Sequence, residues 1–167
     1  MKHLYIVLLG GKHPRASIEV HDICAALGER LEDTYADLRQ HWFGKPEGLH
    51  IDAWMRVEGI DGYRLQFANS APAADEPRLY LINLGGYEPQ EFGEAHRYVL
   101  VTATNAQEAK RKGKAQVLAS WHKLHTDAVI DVDDCLPVDF VSGQHIHLVK
   151  GEHPPVYFEN DYLLIAP

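Results

Sequence analysis

One stretch is written twice in this chain, and the repetition limits the available folds more than any other feature. Leu4-Tyr-Ile-Val-Leu-Leu-Gly-Gly11 returns 75 positions later as Leu79-Tyr-Leu-Ile-Asn-Leu-Gly-Gly86. At that offset Leu4/Leu79, Tyr5/Tyr80, Leu9/Leu84, Gly10/Gly85, Gly11/Gly86 and Pro14/Pro89 coincide, followed by Glu19/Glu94 and His21/His96. The same register reappears, without a gap, at Leu49-His-Ile-Asp-Ala53 against Leu124-His-Thr-Asp-Ala128 and at Val57/Val132. Four clusters in one register point to an internal duplication, which then governs how every other segment is read.

The duplicate resolves local ambiguity. Val20, Ile23, Cys24, Leu27 and Leu31 have helical spacing, but the matching His96–Thr104 is rich in β-branched and aromatic residues. Both copies should adopt one structure, so Glu19–Leu27 is expected to be a strand. A helix follows in each copy. Leu31, Tyr35, Leu38 and Trp42 form the apolar stripe of the first, and Asn105 with Glu108 makes a capping-box-like start for Ala106–Ala119. Met55–Ile60 and Tyr63–Phe67 then read as strands around Asp61-Gly62, and Val129–Asp134 and His145–Val149 as their counterparts, with extra residues around Leu136–Ser142. Tyr162–Ile165 reads as a final strand. The fold class is α+β: two tandem ββαββ-like repeats with pseudo-twofold symmetry, mainly antiparallel sheet, one helix packed per repeat. The first repeat spans 1–68, a Pro/Ala-rich connector 69–77, the second repeat 78–150 and a C-terminal extension 151–167.

Composition excludes more than it identifies. The chain has 167 residues, 46% hydrophobic and 24% charged, enough for one good core or two small fused ones. A net charge of −8 argues against nucleic acid or an anionic membrane surface as partner. No apolar run reaches the roughly 18 residues of a membrane span. Leu4–Leu9 reads as a mature strand rather than a signal peptide. Cys24 and Cys135 are isolated and lack metal-type spacing, which suits a reducing, cytoplasmic setting.

The glycine pairs do not match the spacing of a phosphate-binding loop. They are expected to supply positive φ where a hairpin strand ends, with Pro14 or Pro89 shaping the turn. The repeated polar residues carry more chemistry. Glu19 and His21 lie two apart on a strand and share a face, as do Glu94 and His96. His50 with Asp52, and His125 with Asp127, repeat that spacing. Brought together, each set makes a Glu/His/His/Asp constellation suited to a divalent metal or to acid–base work. The alternative is structural: histidines bonding where the chain leaves the helix, glutamates supporting a turn. Lys110-Arg-Lys112 reads as a solvated helix face, His145 and His147 as an outward strand face, and Cys24 as a small core residue.

Leu8-Leu-Gly-Gly11, Ile18-Glu-Val-His-Asp-Ile23, Leu49-His-Ile-Asp52 and Asp61-Gly-Tyr63, in this order, resemble the bacterial family known as domain of unknown function 1543. The resemblance covers residues 2 to 68 closely and 78 to 150 more loosely; the second copy has Arg97 for Asp22 and lacks the Asp-Gly-Tyr element. It implies a bacterial, cytoplasmic protein carrying one or two copies of the unit. It assigns no reaction, cofactor or partner, so no catalytic residue carries over.

Two functions compete. The favoured expectation is a non-enzymatic binding or interaction protein, since the chain shows no nucleophile turn and no cofactor fingerprint. The alternative is a metal-dependent or acid–base enzyme using Glu19, His21, His50 and Asp52, with Glu94, His96, His125 and Asp127 as a duplicate or decayed site. Homo-oligomerisation through open strand edges is a third possibility.

Overall fold

A strand apolar on both faces must be buried on both, and the two repeated segments are inner strands. The computed structural model describes residues 1–121 and 130–167, the side chains of Ser120 and Trp121 excepted. His125 and Asp127 therefore lie outside the described residues. The chain divides into two compact units: Met1–Gly59 with Val141–Gly143 and Gly151–Pro167, and Ile60–Phe140 with Gln144–Lys150.

In the first unit, β1 (His3–Gly11) pairs antiparallel with β2 (Val20–Gly28) and with β3 (His50–Val57). The two-residue strand β4 (Gly59–Ile60) follows β3, and β11 (Tyr157–Leu164), far along the chain, pairs with β3 and completes the order β11-β3-β1-β2. The helix α1 (Tyr35–His41) follows a 3₁₀ turn at Leu31–Thr34. Tyr5, Val7 and Leu9 of β1, Cys24 and Ala26 of β2, and Leu31, Leu38 and Trp42 form one buried cluster. Strand alternation thus assigns odd-numbered β1 residues to the helix and sends Leu8 and Gly10 to the opposite face. Burial, followed by the carboxylates of Asp22 and Asp37, pushes the Cys24 thiol up to about 12, in keeping with a packing role.

The second unit also packs a helix on an antiparallel sheet. β6 (Arg78–Tyr87) lies between β7 (Glu94–Ala103) and β8 (Ile130–Pro137), both antiparallel to it. Ala109 and Val117 of α2 (Ala106–Trp121) pack on Tyr80, Ile82, Leu84, Val101 and Ala103. β5 (Tyr63–Ala68) and β10 (Gln144–Lys150) are the inner pair of a sheet ordered β4-β5-β10-β9, where β9 is Phe140–Val141. The strand expected for Glu19–Leu27 and the helix expected for Ala106–Ala119 are both present, within two residues at each end. Among the described residues no helix is long and apolar enough to cross a membrane.

Three expectations need correction. The first concerns register. Gly10 faces His50, whereas Gly85 faces Asp131, so beyond the helix the correspondence is 81 positions rather than 75. Val57 pairs with Leu4, but Val132 pairs with Leu84, so the Val57/Val132 match is incidental. The additional residues therefore precede β8 rather than lying around Leu136–Ser142. The turns agree: Asp61-Gly62 and Ser142-Gly143 both have two successive positive φ values, 52° and 81° against 47° and 78°. These are type I′ hairpin turns, which demand residues tolerant of the left-handed region.

The second concerns the glycine pairs: the positive-φ residues are elsewhere, and neither pair is among them. A Cβ on Gly11 would lie 2.8 Å from the Trp42 ring, so its bareness admits that side chain to the helix-side core. The third concerns the cap of α2. Asn105 Oδ1 accepts the Glu108 N–H at 2.9 Å as expected, but the Glu108 carboxylate reaches back to Thr104, accepting from its N–H at 2.8 Å and its hydroxyl at 2.7 Å. Lys112, placed in the solvated face by the sequence, instead donates to the Thr102 carbonyl at 2.7 Å and pairs with Glu108.

The hairpin turns also seal sheet edges. Asp61 Oδ2 accepts from the Thr102 N–H at 2.9 Å and hydroxyl at 3.1 Å, on the outer edge of β7. Ser142 Oγ accepts from the Leu27 N–H at 3.0 Å, on the outer edge of β2. Edge strands left bare invite pairing with other chains, and each contact occupies one backbone N–H of its edge strand.

Asp61→Ala removes both the acceptor and a residue suited to positive φ, and should cost about 1–3 kcal/mol in urea unfolding. Asp61→Asn keeps an acceptor and tolerates the turn, so it should cost clearly less; equal losses would contradict this account. The Thr104 backbone N–H and hydroxyl, then Lys112, hold the Glu108 carboxyl down at about 2, against 4.5 for a free side chain. A depressed pKa contributes stability above pH 4.5 that is lost as pH falls towards 2. Glu108→Gln should flatten the stability profile in that window and leave the slope above it unchanged.

Candidate functional site

Gly10 faces two histidines, His21 across β2 and His50 across β3, all on the sheet face turned away from α1. Glu19, just before β2, and Asp52, two residues along β3, share that face. The four candidate residues of the first unit thus meet. His21 Nε2 lies 3.1 Å from Glu19 Oε1 and 3.1 Å from Asp52 Oδ2. His50 Nε2 lies 3.3 Å from Glu19 Oε1 and 3.3 Å from Asp52 Oδ1. A Cβ on Gly10 would stand 2.5 Å from Asp52 Oδ2, 2.5 Å from His50 Nε2 and 3.0 Å from Glu19 Oε1. The cluster occupies the volume that any other residue would fill.

His50 is buried, with its side chain 3% exposed. Its Nδ1 lies 2.8 Å from the Gly48 carbonyl, which can only accept, so Nδ1 carries the hydrogen. In the neutral ring Nε2 is then a lone pair, and it points at two carboxylate oxygens. Acceptor atoms of Glu19, His50 and Asp52 thus lie within 4.8 Å of one another, a set that could hold a metal ion. Asp52 Oδ2 is likewise unsatisfied. It is shut off from solvent and, among the described residues, has no hydrogen-bond partner, because the nearby His21 nitrogen is not aligned to donate. The ring of Tyr162 lies over His50, centroids 4.3 Å apart and planes tilted by 32°. Glu19 and His21 stand at the outer rim, their side chains 46% and 47% exposed.

Among the described residues the second unit brings together three donors. Glu94 and His96 meet as the sequence indicates, but their carboxylate partner is Asp133, which sequence reasoning missed. The ungapped offset led to Asp127, whereas the pairing of β6 with β8 puts Asp133 at the register irregularity between Asn83 and Leu84, as β1 with β3 puts Asp52 between Leu8 and Leu9. The two positive-φ turns were the signal that could have revealed the shift. At the position of His50 stands Asp131, 82% exposed and 3.8 Å from Lys114. His96 Nδ1 lies 3.3 Å from both Asp133 Oδ2 and Asn83 Oδ1, and its Nε2 lies 3.7 Å from Glu94 Oε2. Its two ring nitrogens therefore face different carboxylates, although one donor atom from each of Glu94, His96 and Asp133 lies within 4.8 Å of the others. Asn83, the polar break in the second apolar strand, serves this arrangement and donates to Asp134 at 2.9 Å.

Elsewhere His147 is tied to the Ser70 carbonyl at 2.7 Å and lies 3.8 Å from Glu76, consistent with a structural role on β10.

Comparison with known proteins places this geometry in a family. A family described as Domain of Unknown Function (DUF1543) matches residues 16–67 and 91–147. The matched segments begin 75 positions apart and end 80 apart, in line with additional residues between β7 and β8. No curated protein matches the chain. Among solved structures it is similar to a protein Il1583 from Idiomarina loihiensis, at 32% identity and a TM-score of 0.75 over 99% of each chain. Two matched segments, each containing a helix and one of the polar clusters, identify the chain as a member of the DUF1543 family in a tandem duplicated form.

Proposed function

We propose that this protein binds a divalent transition-metal ion in its first unit, through His50, Asp52, Glu19 and His21. The supporting observation is the buried His50: a backbone carbonyl fixes its Nδ1–H and aims Nε2 at two carboxylates. A carbonyl or carboxylate on the far nitrogen is the usual way proteins orient a metal-binding imidazole. Two imidazole nitrogens and two carboxylate oxygens suit zinc and its first-row neighbours better than calcium or magnesium, which prefer all-oxygen sites. The carboxylates balance a 2+ charge, which removes the repulsion of two close anions. Binding is the element common to the binding-protein and metal-enzyme expectations, and the element this geometry supports. A reducing cytoplasmic setting belongs to the same reading, with Cys24 and Cys135 as free thiols.

The two units are read as copies of one ββαββ plan, with about six residues added before β8. The copies have diverged in function. Asp131 in place of the buried histidine, and an imidazole shared between Asn83 and Asp133, leave the second cluster a poorer ligand set.

After chelation and dialysis, titration with Zn²⁺ should show about one tight equivalent per chain. Saturation at 100 times the dissociation constant should add about 2.7 kcal/mol of stability. His50→Ala and Asp52→Asn should each remove the tight equivalent, while His96→Ala retains it. Binding unchanged by the His50 and Asp52 substitutions would refute the assignment. The glycine pair gives a separate test. Gly10→Ala forces the donors apart and should weaken zinc binding on the order of 10- to 100-fold. Gly11→Ala, which crowds Trp42 on the opposite face, should lower the melting temperature and leave zinc affinity within about threefold.

A further inference from the structure

We propose that the metal centre of the first unit is open on its outer side and takes a small oxygen-donor ligand whose flat apolar group rests on Tyr162; this rests on the metal-binding reading above. Structural zinc sites are closed by buried protein ligands, whereas sites that work on ligands keep a position free. Here the donors approach from the sheet. His50 and Gly10 form the floor, with Asp52 beside them, while Glu19 and His21 are about half exposed at the rim. Glu19 and His21 thus leave the outer side of the cluster partly accessible to solvent.

Tyr162 lies beside that opening for a specific reason. β11 pairs with β3 through Asn160 opposite Ala53 and then Leu163 opposite Ile51, so Asp161 and Tyr162 fall in the irregularity between them. A bulge redirects side chains locally, and this one lays Tyr162 against the His50 ring. The tyrosine remains 66% exposed, an aromatic surface adjoining a metal position. With Glu19 and Asp52 already balancing a divalent charge, an incoming ligand gains from coordination and from ring contact rather than from net charge. Hydroxamates provide that chemistry, since they bind first-row metals through oxygen and can carry either a methyl or a phenyl group.

The test uses the full chain loaded with Co²⁺, whose visible absorption reports its coordination. Benzohydroxamate and acetohydroxamate are titrated separately, with dialysis confirming that cobalt stays on the protein. Both should shift the spectrum saturably, and benzohydroxamate should bind about 3- to 10-fold more tightly. Tyr162→Ala should keep the cobalt spectrum and erase the difference between the two ligands. A cobalt spectrum that neither hydroxamate alters would overturn the open position while leaving the metal site standing. An unchanged preference in Tyr162→Ala would overturn the role of the ring. Failure to bind cobalt at all would overturn the metal reading, and this inference with it.

Discussion

The absence of a side chain at Gly10 lets two neighbouring strands crowd polar groups over the backbone of a third. β1 is buried on both faces, so it can serve as a rigid floor, and its hydrogen-bond ladders fix His21 and His50 on either side of Gly10. A side chain at that point would occupy the space where the imidazole and the carboxylates meet. Gly11 does the same for Trp42 on the opposite face. One dipeptide thereby shapes both the helix-side core and the polar cluster, and the alternation of a strand keeps the two functions separate.

Within each unit the third strand completes the cluster only because its ladder breaks at the right residue. The register of β3 against β1 shifts between Leu8 and Leu9, leaving Asp52 opposite no partner. A slip of one residue would move every side chain to the other face. A local irregularity instead keeps Ile51 and Trp54 on the core side while Asp52 stays beside His50. β8 breaks its ladder against β6 at Asp133 in the same way. What distinguishes the clusters is therefore composition rather than layout: histidine against aspartate at one position, leucine against asparagine at another. With those two differences the described donors of the second cluster include one imidazole, whose ring nitrogens face different carboxylates.

Much of this was legible in the sequence. The duplicated apolar strand, the strand character of Glu19–Leu27, the helix after Asn105 and the sharing of a face by Glu19 with His21 and by His50 with Asp52 all follow from local rules. Those rules are alternation, β-branched composition and capping, which operate over a few residues and leave a mark in the order of residue types. The sequence also singled out the four residues of the first unit whose side chains meet.

Tertiary structure decided what depends on partners far apart in the chain. Which carboxylate joins Glu94 and His96 is set by the pairing of β8 with β6, and an ungapped comparison led to Asp127 because chance matches around Leu124 preserved the register. The role of the glycine pairs was equally out of reach: a missing Cβ has one appearance in sequence, whether it serves a positive φ or a close approach. The sealing of β7 by Asp61 and of β2 by Ser142 likewise needs the hairpins in place. The sequence by itself determined the local structure and the chemistry available; only the folded strands could decide which side chains meet, because meeting is a property of register and register is set between segments rather than within them.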